Sequence, residues 1–77
     1  MKRIWQTAIN GDLILYLDPF HARVKSESPS GKYRAEFMWL ESAHLFENVE
    51  DAKRIALKLA RKTLEDALRE LDEMENE

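Results

Sequence analysis

Residues 48 to 74 contain no glycine and no proline, and their apolar side chains recur at helical spacing. A run of that length and period folds as one long amphipathic helix, so the residues before it must supply the surface it covers. Asn48 is suited to the N-cap, because its short side-chain acceptor can take an amide proton from the first turn, with Asp51 three residues on in capping-box fashion. Glu50 and Asp51 place negative charge at the positive end of the helix dipole. The acidic end opposes that dipole, which predicts a helix over 48–74 and a frayed tail at 75–77.

At about 100° per residue the apolar positions fall into two groups. Val49, Ala52, Ile55, Ala56 and Leu59 form one. Leu57, Ala60, Leu64, Ala67, Leu71 and Met74 form the other, spaced three and four residues apart in turn like the seam of a coiled coil. The stripe thus turns around the helix. A helix of this length spans roughly 39 Å, against about 23 Å for seven-residue strands, so its second half should overhang the sheet. An exposed seam forgoes about 25 cal/mol for each Å² it could bury, which favours a partner. The seam is short for a stand-alone coiled coil, so any pairing needs help from the sheet.

Asn10-Gly11, between apolar residues 4–9 and 13–17, signals a hairpin with a two-residue type I′ loop. That loop sets Thr7 opposite Ile14, Gln6 opposite Leu15, Trp5 opposite Tyr16 and Ile4 opposite Leu17. Ile4, Gln6, Ala8, Leu13, Leu15 and Leu17 then face the helix, leaving Trp5, Ile14 and Tyr16 outside. Asp18-Pro19 interrupts the ladder, and Phe20, Ala22 and Val24 alternate with His21, Arg23 and Lys25. Residues 26–31 form a polar turn, expected to be a mobile tip, before a strand over 32–40. Its unbroken apolar end, Phe37-Met38-Trp39-Leu40, suggests burial on both faces, with Met38 and Leu40 joining Trp5, Ile14 and Tyr16 on a partner-binding sheet face. The resulting architecture is a single α+β domain over 1–77: a three- to four-stranded antiparallel sheet of two hairpins in residues 1–46, covered on one face by one long C-terminal helix.

A 77-residue chain forms one domain with a marginal core, and without cysteine it has no disulfides to reinforce it. His21 and His44 are too far apart and too unsupported for a zinc site. Oligomerisation is the remaining aid. The N-terminal residues lack the apolar core of a signal peptide and no run approaches a membrane span, which predicts a cytoplasmic protein with no membrane partner. The carboxylates outside the helix are not brought beside a histidine, and the serines of 26–30 have no nearby base. Neither catalysis, a small-molecule substrate, a metal nor a cofactor is expected.

The net charge of −3 divides into +1 over residues 1–46 and −4 over residues 47–77. His21, Arg23, Lys25, Lys32 and Arg34 share one face of the second hairpin, a ribbon of the kind that enters a major groove. A net acidic domain opposes phosphate binding, so a nucleic-acid-binding module is the alternative reading. The leading one is a non-catalytic protein–protein interaction module that pairs as a homodimer through the seam and binds a further protein partner. The junction Phe46-Glu47-Asn48-Val49-Glu50-Asp51-Ala52 is similar to that of many small sheet-plus-helix domains. In general style a compact, acidic, site-free chain resembles small phage or mobile-element proteins that act as inhibitors by occupying the surface of a host enzyme.

Overall fold

The structure, a computed structural model, describes residues 4–17, 19–27 and 30–76. Five strands form one antiparallel sheet in sequence order: β1 (Gln6–Thr7), β2 (Leu13–Leu17), β3 (Phe20–Glu27), β4 (Lys32–Phe37) and β5 (Leu40–Glu41). One helix, α1 (Val49–Glu75), packs chiefly on β3 and β4. The α+β layering is as the sequence implies, with one strand more than the upper expectation.

The helix begins where its cap dictates. Asn48 is extended, and its side chain accepts from the Asp51 amide at 2.8 Å. Helical geometry then continues through Glu75, one residue past the expected end, to a C-cap at Asn76. The helix residues buried deepest against the sheet are small: Ala52, Ala56 and Ala60 are buried, as are Ala22 and Ala35 on the strands beneath, while Ile55, Leu59 and Leu64 pack around them. Methyl groups on both sides let the helix backbone approach the sheet closely, while Leu15, Val24 and Phe37 fill the remaining volume. Leu13, Leu15 and Leu17 face the helix as the alternation requires, with Leu15 in the core.

The first hairpin differs by one residue from its sequence reading. Gln6 pairs with Ile14 and Thr7 with Leu13, so the loop is Ile9-Asn10-Gly11 rather than Asn10-Gly11. Gly11 donates to the Ala8 carbonyl at 3.0 Å and takes φ 93°, whereas Asn10 has no positive φ; a type I′ turn needs both. Asn10 instead bonds forward, its Oδ1 accepting from the Asp12 amide at 3.0 Å. A one-residue slip exchanges faces. Trp5 therefore lies against the core on the helix side, with Lys53 Nζ 5.8 Å from its ring centre.

The second correction is at the end of β4. The strand stops at Phe37, and Met38-Trp39 form a tight turn into β5, in which Leu40 pairs back with Phe37. Met38 has φ 57° and Trp39 has no positive φ, so the first position of the turn takes a conformation that glycine normally supplies. The apolar run is thus a turn and not a strand buried on both faces: Trp39 is 80% exposed.

Past β5 the chain still guards the edge of β4. Ser42, itself buried, accepts from the Ala35 amide through Oγ at 3.1 Å and donates to the His44 carbonyl at 2.8 Å. Its hydroxyl stands in for a ladder bond where the backbone bulges. Phe46 then resumes pairing with Tyr33, each amide donating to the other's carbonyl at 2.7 Å. The expected mobile tip falls partly on residues 28 and 29, which lie outside the described residues; around them Ser30 Oγ donates to the Glu27 carbonyl and accepts from the Lys32 amide.

Candidate interaction surface

Where α1 leaves the sheet, an apolar groove of about 250 Å³ opens. Phe20 and Phe37 contribute from adjacent strands, their rings 6.0 Å apart and tilted by 43°. Met38, Trp39 and Leu40 contribute from the turn, and Leu64 and Ala67 from the helix. Beyond it every residue from 68 to the helix end at Glu75 is exposed, which leaves about 12 Å of helix with no tertiary cover. Leu68, Leu71 and Met74 are 60%, 53% and 68% exposed along that stretch. Groove and bare helix meet at Leu64 and Ala67 and together form the candidate surface.

The six seam residues do not all lie on that surface. Leu57, Ala67, Leu71 and Met74 are exposed and Leu64 is half-buried, but Ala60 is 4% exposed and belongs to the core under the helix. Leu68 takes the place that the strict three-and-four count gave to alanine. Its signal was present in the sequence, since Leu57, Leu64, Leu68 and Leu71 also recur at helical spacing. Trp39 had no such signal.

The five residues assigned to the outer sheet face are likewise divided. Ile14 and Tyr16 remain there, opposite Arg23 and His21. Trp5 packs on the helix side, and Met38 and Leu40 line the groove. The outer face is therefore mostly polar.

The basic residues do share that face, as the alternation requires, but carboxylates are interleaved with them. Arg34 Nε donates to Glu27 Oε1 at 2.9 Å, and its Nη1 donates to the Ser42 carbonyl at 2.8 Å. Lys32 pairs in register with Glu27, and Arg23 with Glu36, which in turn lies opposite Glu41. β3 is also the middle strand of five, so only its end beyond Val24, where β2 stops pairing, projects as a two-stranded ribbon.

On the helix the charges are segregated. Lys53, Arg54, Lys58, Arg61 and Lys62 precede Glu65, Asp66, Glu70, Asp72, Glu73 and Glu75, with Arg69 alone among the acids. Ion pairs within the helix, such as Lys62 with Asp66 at 3.5 Å and Arg61 with Glu65 at 3.7 Å, bridge the boundary between the blocks. Among the described residues no group of three His, Cys, Asp or Glu side chains is placed to hold a metal ion. Among the described residues no helix is long and apolar enough to cross a membrane either. No protein-family model, curated protein or solved structure matches the chain.

Proposed function

We propose that the protein is a non-catalytic interaction module that pairs as a homodimer through its apolar groove and helix end. One observation carries this reading: an apolar groove lined by Trp39, Leu64 and Ala67 is followed on the same helix by exposed Leu68, Leu71 and Met74. Surfaces of this kind mark docking sites, and aromatic and methionine side chains are enriched at the centres of interfaces. The small core adds to the argument, because a domain of this size gains stability by sharing surface with a second chain. Pairing through the helix leaves the outer sheet face, with Ile14 and Tyr16, free for a foreign protein. A role in blocking a host enzyme, in the manner of small phage proteins, would use that face. A cytoplasmic setting accords with the lack of cysteine.

Light scattering across a range of concentrations tests the pairing. A dimer for the natural chain, and a folded monomer for the Leu68→Glu/Leu71→Glu double variant, are the expected results. A natural chain that stays monomeric at every concentration rules the pairing out. The nucleic-acid reading is tested separately: binding to duplex DNA that weakens steeply with salt and needs Arg23 and Lys25 would replace the present one.

A further inference from the structure

We infer that the partner helix runs antiparallel, so that the bare acidic end of each copy lies along the basic, sheet-supported half of the other. The inference rests on the pairing proposed above and adds its geometry.

The first argument is charge. The basic block, residues 53–62, and the acidic block, residues 65–75, meet near Leu64. A parallel pair sets basic against basic and acidic against acidic along its whole length. An antiparallel pair crossing near Leu64 sets each block against its opposite. Like charges alongside one another oppose association and opposite charges favour it, so orientation follows from the order of the blocks.

The second argument is cover. Leu57, Leu64, Leu68 and Leu71 lie within about 60° of one another around the helix, at about 100° per residue. The start of that flank sits on the β1 side, because Lys53, one turn before Leu57, leans over Trp5, and by Leu64 it borders the groove of Met38, Trp39 and Leu40. On the same side Trp5, Leu13 and Leu17 are only half-buried, since α1 packs chiefly on β3 and β4. In an antiparallel pair the partner's bare end reaches this uncovered strip, and the two bare ends each gain a sheet beside them. In a parallel pair they would meet only each other. The overlap from Lys53 to Glu75 is about 35 Å long. A standard interface takes about 800 Å² from each partner, roughly an eighth of the 6035 Å² that this chain exposes.

Because the chain has no cysteine, single-cysteine variants read the orientation directly. Lys58 and Asp72 are both exposed and share one flank of the helix. An equimolar mixture of the Lys58→Cys and Asp72→Cys variants, allowed to exchange and then oxidised mildly, should give the mixed disulfide as its main product. Each variant alone should cross-link little, and dimer dissociation in the natural chain should increase several-fold from 50 to 500 mM salt. Self-cross-linking of the Asp72→Cys variant, with the mixed product absent, would overturn the antiparallel arrangement and leave the dimer standing. Monomeric mass with no cross-link in any sample would overturn both. Circular dichroism of each variant confirms that its fold is intact.

Discussion

Arg34 reaches diagonally across the β3–β4 hairpin to Glu27, Nε to Oε1 at 2.9 Å, although its register partner is Lys25. The contact takes a cation out of the basic ribbon and uses it to hold the fold, since the same guanidinium also donates to the Ser42 carbonyl. Arg34→Ala should therefore lower stability by about 1–2 kcal/mol, a value reduced for the quarter or more of each side chain that water reaches. Urea unfolding checks it; an unchanged midpoint would show that both bonds are replaced by water without loss.

Ala56 has no exposed surface and faces a sheet layer that is itself alanine-rich at Ala22 and Ala35. A longer side chain there must lift the helix. Ala56→Leu is expected to destabilise by about 1–3 kcal/mol despite the added hydrocarbon, whereas Leu68→Ala, on the bare end, should leave the monomer's unfolding midpoint nearly unchanged. Equal effects from the two would contradict the close helix–sheet contact.

Ser42→Ala removes one oxygen and orphans two groups. The Ala35 amide, in a residue with no exposed surface, loses its acceptor, and the His44 carbonyl loses its donor. The expected cost is about 1–3 kcal/mol, with faster exchange of the Ala35 amide proton as the specific readout.

Met38 occupies a left-handed conformation that costs a side-chain-bearing residue about 1–2 kcal/mol. Met38→Gly relieves that strain but gives up a half-buried side chain, so the two terms nearly cancel and stability should change by less than about 1 kcal/mol. Phe37→Ala, one residue earlier and 1% exposed, should cost about 3–5 kcal/mol. A large loss at Met38 would mean that its packing outweighs the backbone strain.

The helix was legible because its signals are local and redundant: a capping asparagine, early acids and a long run free of breakers. Its overhang followed from length alone. The hairpin register was not legible, because Asn10-Gly11 suits two loops and the choice lies in whether Asn10 takes positive φ or bonds to Asp12. The turn at Met38-Trp39 carries none of the residues that mark turns, so an apolar run there reads as a buried strand. Both misreadings moved residues of the candidate surface: the first turned Trp5 inward, and the second brought Met38 and Leu40 to the groove and put Trp39 in solvent.

Nine helical residues, 67–75, make up about an eighth of the chain yet are all exposed, with only Ala67 reaching the groove at the sheet's end. Heat-capacity change and denaturant sensitivity both scale with surface hidden on folding, at about 12–15 cal/mol/K per residue for an average domain. The isolated monomer should thus unfold calorimetrically like a chain some nine residues shorter, with a flatter dependence of stability on temperature than its 77 residues would suggest.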